Sequence, residues 1–314
     1  MIDPSNPIFN DETKAREFLE AQRWPDGPVC PHCEATHTAT KLQGRSTRPG
    51  VYKCKKCDLP YTVTVGTVFE RSKVPLRTWL YVTFLLCGSK KGISSHQIHR
   101  MIGVQYKTAR FMTMRIREAM RIGSLAPPMG SGGGTIEADE TFIGAKAGTP
   151  RKGQRPAAYQ HKHAVLTLVE RGGEVRSFHI DRAQGKTIIP IIRANVSKEA
   201  AIVTDEAKHY GHLRAGFAAH ETVNHTEKEY ARGTIHTNTV EGYFSIFKRG
   251  MKGVYQHCAE QNLHRYLAEF DFRYSNRIAL GIDDDARAAK ALKGISGKRL
   301  MYKKPRAKAA TAAK

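Results

Sequence analysis

Residues 135–144 read TIEADETFIG. Apolar and acidic residues alternate, which predicts a strand with Glu137 and Asp139 on one face and Ile136, Glu140 and Phe142 on the other. The sequence downstream supplies partners for it. HAVLTLVER (163–171) and EVRSFHID (174–181) flank Gly172 and Gly173, a pair suited to a β-hairpin turn. KTIIPIIRANVS (186–197) predicts a helix with Pro190 early or at a kink. AAIVTDE (200–206) predicts a short buried strand ending in carboxylates, and HETVNH (220–225) a fifth strand. HTNTVEGYFSIFKRG (236–250) and QNLHRYLAEFDFRYSNR (261–277) predict helices. Three consecutive strands, a helix, two further strands and then helices make a mixed α/β sheet domain, placed at 135–280.

Upstream the pattern changes. Residues 1–25 hold a short amphipathic helix, DETKAREFLEAQRW, with Ala15, Phe18 and Leu19 as its apolar positions. Residues 26–70 carry two C-x-x-C knuckles, Cys30/Cys33 and Cys54/Cys57, twenty residues apart. That spacing supplies four thiolates to one tetrahedral structural Zn²⁺ and leaves no open position for chemistry. His32 and His37 lie nearby but are surplus to a closed shell. Cys87 and Cys258 stand apart and are expected to be ordinary small core residues.

Residues 71–123 contain three helical runs. Ser94 or Ser95 can cap HQIHRMI, and Gly103 allows a sharp turn into YKTARFMTMRIREAM. This predicts a helix-turn-helix whose last helix presents Lys107, Arg110, Arg115 and Arg117 to DNA, against a plain three-helix bundle. SLAPPMGSGGG (124–134) predicts a linker, because Pro and Gly oppose both helix and strand. Residues 281–314 predict a basic tail, disordered and grazing DNA or merely solubilising. From Ala286 onward they hold ten Lys or Arg and no acid, and Asp283 to Asp285 are expected in a solvated turn.

Lys and Arg outnumber Asp and Glu by 51 to 29, a net charge of +22 over 314 residues. A polyanion is the expected partner, and nucleic acid is the usual one. No apolar run is long enough to span a membrane, and the N-terminus lacks the order of a signal peptide.

On the helix at 236–250, Asn238, Glu241, Ser245 and Lys248 fall within roughly an 80° arc, opposite Val240, Tyr243, Phe244 and Phe247. Asp139 on one strand, Asp205 at the end of another and Glu241 on this helix can converge. Three carboxylates brought together suit Mg²⁺ or Mn²⁺, and two such ions about 4 Å apart serve phosphodiester chemistry. Glu137, Glu140 and Glu206 are read as supporting rather than ligating residues.

The blocks RWPDGPVCPHC, CKKC, IEADETFIG, IVTDE, HTNTVEGYFSIFKRG and LAEFDFRYSNR together resemble the DDE transposases of bacterial insertion sequences. The likeness is to the group with a zinc ribbon before an RNase H-like catalytic domain (the insertion-sequence fifteen-ninety-five family, ISXO-type), and it runs from about Phe9 to Arg277. It implies an RNase H-like fold and a transposase that cuts element ends and transfers them to target DNA. It matches Asp139 and Asp205 to the first two catalytic acids, Glu241 to the third and Lys248 to the basic position after it. Some members have an asparagine in the third motif, so Asn238 could take or share that role. Lys248 and Arg249 are expected to hold DNA phosphates. A protein of this kind works in the bacterial cytoplasm at the nucleoid, as at least a dimer when it pairs two ends. Two other readings share these features: an RNase H-like nuclease that does not join, and a zinc-ribbon DNA-binding regulator descended from an inactive transposase.

Overall fold

The computed structural model describes residues 3–123, 126–146, 148–149, 159, 161–213, 216–224 and 231–301. Two short helices, α1 (Pro7–Asn10) and α2 (Glu12–Arg23), open the chain. Asp11 caps α2, its carboxylate accepting the N–H groups of Thr13 and Lys14, and Ala15 and Leu19 are the buried positions. An antiparallel three-stranded sheet follows, with β1 (Ala39–Lys41), β2 (Tyr52–Cys54) and β3 (Pro60–Tyr61) in that order. Trp24, Tyr52 and Tyr61 pack ring against ring behind it.

Helices α3 (Leu76–Gly88), α4 (Ser95–Ile102) and α5 (Tyr106–Met120) come next. Ser94 caps α4 through Gln97 N–H, and Gly103 takes the left-handed conformation (φ 69°) that ends it. The expected three helices and the turn are therefore present. Their basic face is not as expected. Arg115 and Arg117 are buried on α5, because later parts of the chain pack over that side. Arg115 donates to the carbonyls of Glu70 and Leu300. Arg117 pairs with Glu269 at 2.5 Å between the rings of Tyr255 and Tyr266.

The larger sheet has the order β6-β5-β4-β7-β8. Its strands are β4 (Thr135–Ile143), β5 (His163–Glu170), β6 (Val175–Ile180), β7 (Ala201–Asp205) and β8 (Ala219–Val223). The first three are antiparallel, while β7 and β8 run parallel to β4. Helix α6 (Gly185–Asn195) supplies the crossover and accommodates Pro190 at its sixth position, neither early nor at an end. Alternation along β4 and β5 builds two cores. Ile136, Ala138, Leu166 and Leu168 pack under α6. Val165, Val169 and Val175 pack under α7 (Asn238–Gly250) and α8 (Leu263–Ser275). The side of α7 that carries its aromatics is thus buried, as its periodicity predicts. A two-stranded hairpin, β9 (Ala231–Arg232) with β10 (Ile235–His236), leads into α7. Gly250 ends α7 where a Cβ would lie 2.4 Å from the Phe270 ring and 2.7 Å from the Lys91 carbonyl, so only glycine lets the helix pass.

Two boundaries need correction. The tail expected at 281–314 begins as a folded helix, α9 (Asp284–Lys293). Asp283 caps it by accepting Ala286 N–H, so the three aspartates are a helix start rather than a solvated turn. Ala288, Ala291, Leu292 and Ile295 bury one face against the core of the N-terminal helices. Alanine at helical spacing forms a face narrow enough to pack closely, which a composition reading mistakes for low complexity. Residues 302–314 lie outside the described residues. The expected linker is likewise anchored at its far end, where Met129 is buried and pairs through its backbone with Asn195 and Ser197. Ser124 and Leu125 of that segment lie outside the described residues. Among the described residues, no helix is long and apolar enough to cross a membrane.

Candidate active site

The parallel register of β4 and β7 brings two acids together. Thr135 pairs with Ala201 and Glu137 with Val203. The same register, continued two residues along each strand, sets Asp139 level with Asp205 on the neighbouring strand. Each makes one short hydrogen bond to nearby backbone: Asp139 accepts Glu140 N–H at 2.6 Å and Asp205 accepts Ala207 N–H at 3.0 Å. Burial, then the charges of Glu140, Asp205 and Glu241, push the Asp139 carboxyl up to about 8. Burial also raises Asp205, with Glu140 adding to it. Carboxyls raised by burial and by neighbouring acids favour a cation beside them. Their oxygens are the donors that Mg²⁺ or Mn²⁺ takes.

Glu241 is within electrostatic reach of Asp139. Among the described residues, only two groups of three or more potential ligands have all donor atoms within 4.8 Å of one another, and the three acids are not one of them. Glu241 is exposed on the first turn of α7 and accepts the Thr237 hydroxyl at 3.2 Å. Asn238, the first residue of that helix, is exposed one turn before it. The two strand acids thus lie at the same end of neighbouring strands, and with Glu241 they form no closed set of ligands among the described residues.

The position of α7 is set from beneath by Glu137, which is completely buried. The helix N-cap, Thr237, makes no capping bond of its own. Instead Glu137 accepts Thr239 N–H at 2.8 Å, Val240 N–H at 2.9 Å and the Thr239 hydroxyl at 2.7 Å. Arg171 pairs with the same carboxylate at 2.6 Å and also holds the carbonyls of Thr234 and His236. Negative charge at a helix N-terminus is favourable in itself. Glu140, on the opposite face, takes His209 at 3.0 Å and the Tyr210 hydroxyl at 2.5 Å, which fixes the segment after Asp205. That hydrogen bond raises His209 above its ordinary value. Glu206 is exposed.

Lys248 is half-buried beside the Phe244 ring. Burial lowers its ammonium, while Asp139 acts in the opposite sense. Together with Lys162 and Lys252 it lines a cleft of about 620 Å³ bounded by Glu140, Gly144 and Tyr159. Lys162 and Lys252 carry no motif that would have marked them in the sequence. Arg249 is exposed and returns to Ser245 on its own helix. On α5, Lys107 and Arg110 are exposed, and Tyr106 on the same helix stacks on His96.

The cysteine quartet forms the other compact group. Cys30 and Cys57 Sγ lie 3.7 Å apart, as do Cys33 and Cys54. The Thr38 hydroxyl and backbone N–H groups pull the Cys54 thiol down to about 6, while burial and the neighbouring thiols leave Cys33 and Cys57 raised. The set fits a structural Zn²⁺ held by the hairpin turns. His32 and His37 are exposed and outside it.

Comparison with known proteins accords with this layout. Residues 132–275 match the ISXO2-like transposase domain, and residues 10–59 match a transposase zinc-ribbon domain. A protein of transposable element ISH50 from Halobacterium salinarum, itself uncharacterized, is 28% identical over 278 residues. The alignment covers 84% of this chain and 91% of that protein.

Proposed function

We propose, since the chain belongs to the ISXO2-like transposases that carry a zinc ribbon, that it binds the ends of its element, cuts them and joins the freed 3′-hydroxyls to target DNA. A transposase domain implies transposition; the rest is our reading of the site. Its main support is the parallel β4–β7 register, which pairs Glu137 with Val203 and so carries Asp139 and Asp205 to the same end of neighbouring strands. Three antiparallel strands followed by two parallel ones, with helices on both faces, we read as an RNase H-like sheet.

In this reading Asp139 and Asp205 hold the catalytic metal. Glu241, or Asn238 one turn earlier, completes the set when α7 and DNA close on the strands. A pair of Mg²⁺ or Mn²⁺ ions bound there supplies charge neutralisation to the phosphodiester and to its entering and leaving oxygens. The protein itself forms no bond to DNA and contributes position and charge. Glu137 fixes the helix that presents Glu241. Lys248 and Arg249 hold the DNA backbone near the acids, and Lys107 and Arg110 hold it near α5, which we read as the second helix of a helix-turn-helix. Pairing two ends calls for at least two copies of the chain.

The test is incubation of the purified protein and Mg²⁺ with duplexes ending in the element's own terminal repeats, with and without a pre-cut end and target DNA. Nicks at the ends and joined products are expected. Cutting without joining would reduce the protein to a nuclease, and binding alone would leave a DNA-binding regulator.

A further inference from the structure

Away from the acid pair, three side chains meet that the transposase reading does not use. His163 begins β5, and His179 lies on β6 opposite Val165. Strand alternation puts both on the face of Val165 and Val169, so they are diagonal neighbours across the hairpin. Their rings sit 5.5 Å apart, edge to face. Glu260, in the turn that leads into α8, reaches toward both. Its Oε1 is 3.6 Å from His163 Nδ1 and 3.7 Å from His179 Nε2. Those separations are too long for hydrogen bonds. Both nitrogens are buried and have no hydrogen-bond partner among the described residues, and His163 is only 5% exposed.

Leaving two buried ring nitrogens without partners is costly unless something binds them. The three donor atoms all lie within 4.8 Å of one another. Bonds of about 2.0–2.1 Å at tetrahedral angles separate ligands by about 3.3 Å, so each carboxylate–imidazole separation needs to shorten by only a few tenths of an ångström.

We propose that His163 Nδ1, His179 Nε2 and Glu260 Oε1 form a second zinc-type site, specific for borderline divalent ions such as Zn²⁺ and separate from both the cysteine quartet and the acid pair. Two imidazoles and one carboxylate select Zn²⁺ over Mg²⁺, which takes oxygen donors. Water completes the coordination. The ion ties the lead-in of α8 to the β5–β6 edge. His163 also lines the basic cleft beside Lys248, so the site braces one wall of that cleft.

The full chain, with its cysteines already loaded with zinc, is titrated with Zn²⁺ in millimolar Mg²⁺, which fills oxygen sites without competing for imidazole. We expect the wild type to take up one further equivalent and to gain thermal stability from it. His179→Ala should weaken that equivalent by at least about 100-fold, more than loss of an outer-sphere partner costs. Glu260→Ala should do the same, and because Glu260 is 52% exposed this variant separates lost ligation from lost folding. Wild-type protein that binds no zinc beyond the cysteine site overturns the proposal. So does a further equivalent whose affinity is unchanged in both variants.

Discussion

Glu137 accepts the backbone N–H of Val240 at 2.9 Å across 103 positions of sequence. Two residues further along the same face of β4 stands Asp139, so one strand both supplies an acid and caps the helix that brings the next acid toward it. Glu137→Ala strands two amides at a buried helix start. We expect a loss of about 2–4 kcal/mol in urea unfolding, with DNA cleavage lost even though Asp139, Asp205 and Glu241 remain.

The second strut is ionic. Glu269 is fully buried between Arg117 on α5 and Arg273 one turn along α8. Burial alone would raise its carboxyl, but Arg273 and Arg117 hold it below its ordinary value. Glu269→Ala leaves two buried guanidiniums without a counter-charge and should cost about 3–5 kcal/mol. A thermal melt of variant against wild type reads it.

Burial also decides which arginines can meet DNA. Lys107→Ala and Arg110→Ala should each weaken binding to element ends and reduce the salt slope of log K by about one. Arg117→Met should leave that slope unchanged, because Arg117 faces α8. Fluorescence anisotropy at several salt concentrations separates the two classes.

Burial pushes the Asp271 carboxyl up to about 7, against the pull of hydrogen bonds from Tyr243 and Ser177. The folded protein therefore keeps a proton that the unfolded chain releases near pH 4. The stabilisation linked to that proton is complete below about pH 4 and is lost as pH rises through about 7. In saturating Mg²⁺, Asp271→Asn should show a flatter melting-temperature profile between pH 4 and 7 than the wild type.

Zinc removal should reach beyond the ribbon. Cys30 and Cys54 share one core with α2, α3, α5 and α9. Chelation should unfold that core together and leave the β4–β8 sheet, whose apolar residues form separate cores. Hydrogen exchange with and without chelator tests this.

Much of this layout was legible in local pattern. Alternation in TIEADETFIG gave the faces of β4, the Gly172–Gly173 pair gave the hairpin, and the helical arc at 236–250 separated Glu241 from its aromatics. What escaped was set by distant partners. Arg117 reads as a surface cation until α8, about 150 residues on, supplies Glu269. Alanines on α9 read as tail until a core accepts them. That the three acids form no closed ligand set among the described residues depends on how α7 is placed over the strands, which periodicity does not specify. His163 and His179 each looked like an ordinary strand residue, and only the hairpin register makes them neighbours.

The adjacency of Asp139 and Asp205 as a metal-holding pair is tested most directly by Asp205→Asn. The readout is single-turnover nicking of a duplex carrying the element's ends in Mg²⁺, with zinc content, folding and DNA affinity checked on the same preparation. We expect nicking to fall at least about 1,000-fold, some 4 kcal/mol of barrier, while those three properties stay at wild-type values. Nicking at the wild-type rate would show that the strand-end acids do not carry the chemistry.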